Sequence, residues 1–156
     1  MTERRSSFSL DKIQEMWESD SKMNQDELDA ESLKIPQLHA KYYDIYNVTL
    51  TLRKQTETAY SKILLERRQY YQGKATAAVY AEEPFPFKVR DKDDLKLYLD
   101  ADEKLKNLSL KREYYDMMLR YTEEILKQIS NRTYQIKNAI ESVSYTHLTL
   151  PTTGIV

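Results

Sequence analysis

Apolar residues recur at alternating steps of four and three along two long stretches of this chain. Between residues 37 and 72 there is no Gly or Pro. Leu38, Tyr42, Ile45, Thr49, Leu52, Thr56, Ala59 and Ile63 mark one face; the register then passes Glu66 and reaches Tyr70. That spacing predicts a heptad-patterned helix. At 1.5 Å per residue it is a rod of roughly 54 Å. Gly73 is a natural stop, because glycine takes the left-handed conformation after a helix without strain. Two threonines and an alanine make this seam thin. The second stretch reads Leu105, Leu108, Arg112, Tyr115, Leu119, Thr122, Leu126, Ile129, Thr133, Ile136, Ile140. Arg112 is its one charged position, placed to snorkel or to fix register.

Shorter elements flank these seams. Ser9 is a good N-cap for a helix with Leu10, Ile13, Met16 and Trp17 on one face. The polar run 19–25 breaks it. A second short helix, about 26–34, is expected to turn Leu28 and Leu33 inward. Ile35 precedes Pro36, which disfavours helix at Ile35 and suits a new helix start. Residues 74–92, KATAAVYAEEPFPFKVRDK, read as a connector. Pro84 and Pro86 forbid regular helix there, so Phe85 and Phe87 either cap the core or lie exposed. Asp93 is expected to cap a segment carrying Leu95, Leu97, Tyr98 and Leu99, and Asp100 or Asp102 to open the last helix.

The expected fold class is all-α: two long heptad-patterned helices in a hairpin plus short N-terminal helices. Residues 1–141 form a single domain, with short helices over 8–35, a long helix over 37–72, a connector over 73–92 and C-terminal helices over 93–141. A lone hairpin buries one stripe per helix. The short N-terminal helices can cover some of the remaining apolar residues and neighbouring subunits the rest, so a homo-oligomer is expected.

The last fifteen residues, SVSYTHLTLPTTGIV, break the pattern. They contain no Asp, Glu, Lys or Arg, whereas the first 141 residues contain 49. One choice of codons for Val-Ser-Tyr-Thr-His-Leu-Thr-Leu-Pro-Thr looks like the end of a transposon-type sequencing adapter read as coding sequence. Residues 142–156 are therefore expected to be a non-native tail that replaces the natural C-terminus. A genuine apolar tail that binds a partner groove is the alternative.

Composition narrows the chemistry. The 156 residues include no cysteine, two glycines and two histidines. No disulfide, thiolate zinc site or Cys nucleophile is available, and a cytosolic setting is the default. Two glycines cannot build a phosphate cradle, which excludes a P-loop or dinucleotide site. His39 and His147 cannot make a His-rich metal centre. No apolar run approaches a membrane span, and the N-terminus lacks a secretory h-region. Net charge is −1, but it is unevenly spread. Residues 1–36 are net −4, residues 37–92 net +4 and residues 93–141 net −1. The middle third is a basic island, and local patches matter more than totals for a polyanion.

Within that island, residues 63–75 read ILLERRQYYQGKA. Arg67, Arg68 and Lys74 stand at the end of the long helix, with Lys62 a turn upstream. Basic side chains neutralise phosphates while nearby tyrosines stack on unpaired bases. Cations at a helix C-terminus also complement its dipole, which is the bland reading. Tyr70 continues the seam; Tyr71 sits off it and is the stacking candidate. Lys88, Arg90 and Lys92 can extend the patch or belong to an ordinary solvated loop. Asp100, Asp102 and Glu103 read as first-turn acids rather than an acid/base pair. His39 reads as an ordinary helix residue. An enzyme is the least favoured class, and a structural coiled-coil scaffold or prefoldin-like holdase competes with nucleic-acid binding.

Five blocks carry a family resemblance: LDKIQEMWESDS (10–21), LKIPQLHAKYYDIY (33–46), RRQYYQGKA (67–75), YLDADEKL (98–105) and NRTYQIKNAIE (131–141). Over residues 10–141 the chain resembles the UvsY family of recombination mediators from T-even-like tailed phages, especially those of marine cyanobacterial phages. The resemblance implies a protein that binds single-stranded DNA. It implies loading of a RecA-like phage recombinase onto strands coated by the phage single-stranded DNA-binding protein, in recombination-dependent replication and repair. It further implies a hexameric or heptameric ring, no catalysis, no cofactor, no metal and no membrane, in the cytoplasm of the infected bacterial host. The family's DNA-binding motif ends in a basic helix followed by Tyr-Tyr-x-Gly, here Tyr70-Tyr71-Gln72-Gly73. Its arginine corresponds to Arg67, while its lysine falls on Leu65. Arg68, Lys62 or Lys74 are the residues placed to compensate. The family's C-terminal helix contributes to assembly, so the foreign tail bears on the oligomer.

Overall fold

A computed structural model of the chain describes the backbone of residues 8–153 and the side chains of residues 8–143. Its described residues form five helices and no strand: α1 Leu10–Asp20, α2 Leu28–Tyr71, α3 Ala77–Glu82, α4 Lys92–Asp100 and α5 Glu103–Thr153. The sequence-expected tail lies outside the described side chains except for residues 142 and 143; α5 runs through its backbone to Thr153.

The helix ends follow local chemistry. The Ser9 hydroxyl accepts the Lys12 N–H at 3.2 Å and caps α1. Asp91, not Asp93, caps α4, accepting the Asp94 N–H at 2.9 Å. Asp102 opens α5, accepting the Leu105 N–H at 3.0 Å. At the end of α2, Gly73 has φ +77°. The Gly73 N–H donates to the Tyr70 carbonyl at 3.2 Å and the Lys74 N–H to the Gln69 carbonyl at 2.9 Å. Those two bonds are a complete Schellman motif.

The break expected at Pro36 does not occur, because α2 runs through it. Pro36 has no N–H to donate to the Ser32 carbonyl, but both residues lie on the exposed face, where a carbonyl without a helical donor costs little. The buried face is continuous instead. Leu28, Glu31, Ile35, Leu38, Tyr42, Ile45 and Thr49 extend the seam backwards at steps of three and four. Leu33, expected inward, is consequently 77% exposed.

The chain divides into two compact units, Met1–Thr49 with Met118–Val156, and Leu50–Met117. In the first, α1 packs on segments of α2 and α5. Ile13, Trp17, Tyr42, Ile45, Thr49, Met118, Thr122, Ile125, Ile129 and Ile136 are buried. The Trp17 and Tyr42 rings meet edge-on at 5.5 Å. Tyr42 and Lys41 both donate to the Asp20 carboxylate, and Arg132 donates to the Asp20 carbonyl at 2.7 Å. Arg132 thereby satisfies the C-terminal end of α1 with a cation, as the helix dipole favours. The buried line on α5 is Met118, Thr122, Ile125, Ile129, Arg132, Ile136. The expected Leu119 and Leu126 are only half-buried, and Thr133 and Ile140 are exposed. A straight α-helix drifts against a 3.5-residue repeat, and here the neighbouring Met118 and Ile125 take the inner positions.

In the second unit α2 and α5 run antiparallel. Arg53 bonds Asp116 at 2.6 Å, and Arg67, fourteen residues further along α2, bonds Asp102, fourteen residues earlier. Leu95 and Leu105 supply its apolar centre with Tyr70. Arg112 lays its guanidinium 4.9 Å from the Tyr60 ring.

A Cβ on Gly73 would meet nothing within 4 Å, so Gly73→Ala isolates the cost of the left-handed backbone. It should lose about 1 kcal/mol and lower Tm by roughly 2–4 °C. A thermal melt checks this; an unchanged Tm removes the Schellman stop as a contributor to stability.

Candidate nucleic-acid interface

The end of α2 carries its charges in two directions. Arg67 follows Ile63 by four residues and precedes Tyr70 by three, so it takes the seam position that the sequence pattern assigned to Glu66. It is 6% exposed. A buried guanidinium requires partners, and it has three. Its Nε donates to Asp102 at 2.6 Å, and its two terminal nitrogens donate to both Glu83 oxygens at 3.0 Å. It also donates to the Tyr71 hydroxyl at 3.3 Å. Its carbon lies 4.2 Å from the Tyr70 ring centroid, a cation–π contact.

Asp102 answers from the other side. Burial pushes its carboxyl upward, but bonds from Tyr71, the Leu105 N–H and Arg67 outweigh burial and hold it below the usual carboxylate range. Glu83 is lowered chiefly by the bonds from Arg67. The Tyr71 hydroxyl is pushed up by burial and by donating to Asp102 at 2.6 Å. Two carboxylates surround one guanidinium, so this knot presents no net positive charge.

The knot fastens the connector. The Tyr70 hydroxyl donates to the Glu83 carbonyl at 2.9 Å, and Tyr80 donates to the Tyr70 carbonyl at 2.7 Å. Tyr70, Tyr71, Tyr80, Phe85, Phe87 and Tyr98 form a chain of ring contacts with centroids 5.1–6.4 Å apart. Phe85 is half-buried and Phe87 is exposed, so the two connector phenylalanines have different fates.

Arg68, one residue on, points away from the seam and is exposed. It lines a groove of about 330 Å³ with Gln72, Lys74, Val89, Arg90, Asp91, Lys92 and Leu95. A neighbouring depression of about 250 Å³ shares Arg68, Lys92 and Leu95 and adds Lys96 and Asp100. The Schellman turn at Gly73 brings Lys74 back beside Arg68, and the N-terminus of α4 supplies Arg90 and Lys92. Among the described residues none forms an ion pair with Arg68, Lys74, Arg90 or Lys92. Asp91, the one acid on the groove, is engaged in capping α4. Such an open, positive groove suits a phosphate chain.

Of the sequence candidates, Arg68, Lys74 and Arg90 thus converge on one groove. Lys62 and Lys88 are exposed but lie outside its lining. Arg67 and Tyr71 are placed in the knot, bonded to Asp102. Leu65, at the position where the resembled family has lysine, is 58% exposed. Lys96 was missed by sequence reasoning, since nothing in its local pattern marks it. His39 stacks on Tyr43 at 5.7 Å. Among the described residues no group of three His, Asp or Glu is placed to hold a metal, and no described helix is long and apolar enough to cross a membrane.

The family model described as "Recombination, repair and ssDNA binding protein UvsY" matches residues 16–146. Two crystal structures of the bacteriophage T4 recombination mediator protein UvsY share the fold. Lattice type II gives a TM-score of 0.80 at 19% identity, covering 90% of this chain and 99% of that one. Lattice type IV gives 0.73 at 19% identity, covering 89% and 99%. No curated protein matches the chain.

The lowered carboxyls of Asp102 and Glu83 set the acid limit of this unit. Groups whose folded values are depressed contribute stability that is full above their unfolded values, near 4, and is lost as pH falls through the folded values. Tm should therefore drop steeply below about pH 4. Asp102→Asn leaves Arg67 short of a buried partner and should cost about 3 kcal/mol at neutral pH. Its Tm should also depend less on pH between 2 and 5, as melts across that range would show.

Proposed function

The chain belongs to the UvsY family, and from that membership we propose that it is a recombination mediator that holds single-stranded DNA in the groove lined by Arg68, Lys74, Arg90 and Lys92. The observation that carries the reading is the convergence of four cations, none in an ion pair among the described residues, from α2, the Gly73 turn and the start of α4. Phosphates are bound by exposed cations that displace the counterions condensed on the strand, and none of these four side chains forms an ion pair with a described residue. Arg67 acts as a positioning residue: it anchors the helix end and the connector that carry the groove. Lys62 and Lys88 flank the groove and extend its positive field. Tyr71 supports the connector through its ring contacts rather than meeting the DNA directly.

In this reading the chain performs no chemistry. Several copies assemble as a ring, each offering a weak site, and repetition along one strand supplies avidity. The strand so held is released from its coating protein and offered to a RecA-like phage recombinase, in the cytoplasm of the infected bacterium.

Titration of labelled single-stranded and duplex DNA across a salt series tests this. Tight single-strand binding with a steep salt slope is expected. Replacing Arg68 and Arg90 with Ala should weaken binding for every sequence and flatten the slope by roughly 0.7 per lost phosphate contact. No single-strand binding at low salt by a folded, assembled sample would sink the reading and favour a coiled-coil scaffold.

A further inference from the structure

A second kind of contact stands two residues along the chain from the basic groove, whose lining begins at Val89 on this segment. Phe87 is 64% exposed, although removing a phenylalanine ring from water is favourable. It is not a loose side chain. Its ring lies 6.4 Å from Tyr98 at 28°, and Tyr98 lies 5.5 Å from Tyr71 at 27°. Tyr71, Tyr98 and Phe87 thus follow one another as a column in which each ring is tilted by no more than 28° from the next, and Phe85 braces the column edge-on at 5.8 Å from Phe87 and 5.2 Å from Tyr98. The inner end is rooted, since the Tyr71 hydroxyl is bonded to Asp102 and Arg67. Pro84 and Pro86 restrict the backbone on either side of Phe85 and lead directly into Phe87. These contacts and the flanking prolines restrict the outer ring, and restriction before binding lowers the entropy cost of a contact.

The neighbours of Phe87 say what that contact is. Lys88 follows it directly, and Val89 and Arg90 line the basic groove. Tyr43, Tyr114 and Tyr134 are also exposed. Among the described residues, though, Phe87 is the exposed ring that ends a stacked column and leads into the groove. A flat apolar face next to phosphate-binding cations is complementary to a nucleotide: charge for the backbone, ring for the base. A paired base inside a duplex keeps its faces stacked on its neighbours, so only an unpaired base can extend the column.

We propose that Phe87 is a base-stacking platform, on which an unpaired base of the strand lying in the Arg68–Lys74–Arg90–Lys92 groove continues the Tyr71–Tyr98–Phe87 column. The proposal rests on the DNA-binding reading above and assigns to Phe87 the preference for single strands, independent of the phosphate contacts.

The test compares an oligo-dT strand with an abasic sugar-phosphate strand of equal length, on the full chain. Phe87→Ala should weaken dT binding roughly 5- to 140-fold, leave abasic-strand binding unchanged and keep the salt slope of the wild type. Phe87→Leu, apolar but not aromatic, should behave like Phe87→Ala. Phe87→Trp should retain dT affinity, and its indole fluorescence should be quenched by dT but not by the abasic strand. Wild-type affinity for dT in Phe87→Ala overturns the platform and leaves the groove reading intact. An equal loss on both strands also overturns it, because the ring would then act only by shaping the connector. Failure of the wild type to bind either strand at low salt overturns both readings.

Discussion

The unit that carries the groove depends on one buried charge. Arg67 sits on the inner face of α2, where a heptad pattern asks for an apolar side chain. Its guanidinium is tolerable there because Asp102 and Glu83 meet it with good geometry. A buried ion pair is weak evidence for stability, but it is demanding about arrangement. Asp102 must stand at the first turn of α5 and Glu83 at the end of α3. Satisfying Arg67 therefore specifies where three separate segments of chain come together.

That demand reaches the surface. With Arg67 turned inward, helical geometry turns Arg68 outward, because consecutive residues are about 100° apart around the axis. Gly73 then reverses the chain, and the connector returns over the helix end with its aromatic rings against Tyr70 and Tyr71. The basic residues of α2, the turn and α4 share a groove because the knot beneath them holds those elements together. The cation with the most partners is thus the support, and the exposed ones face solvent.

The other unit solves a similar problem in a different way. Arg132 is also buried, and it is also placed at a meeting of segments. Its partner is the Asp20 carbonyl at the end of α1, with the Trp17 ring 5.5 Å away. Here a single cation closes a helix terminus and gives the short α1 a fixed seat. In both units an arginine that the sequence pattern placed beside the seam is, in the structure, the tie between helices.

How much of this was legible depends on the range of the interaction. The all-α class, the long helices and the Gly73 stop are local properties. Periodicity, caps and a glycine decide them, and these are written in consecutive residues. The basic island was legible as composition. Other features were not. The unbroken passage of α2 through Pro36 follows from the packing of Glu31, Ile35 and Tyr42 on one face, which overrides a local preference. The inward place of Arg67, against the outward place of Arg68, needs Asp102 and Glu83, 35 and 16 residues away in the chain. The choice of Met118 and Ile125 over Leu119 and Leu126 is a rotation of about 100° that only a packed neighbour can select. The sequence by itself determined what kind of elements form and which stretch is positive. The tertiary structure alone decided which cation is buried and which is presented, because burial is settled by partners distant in sequence.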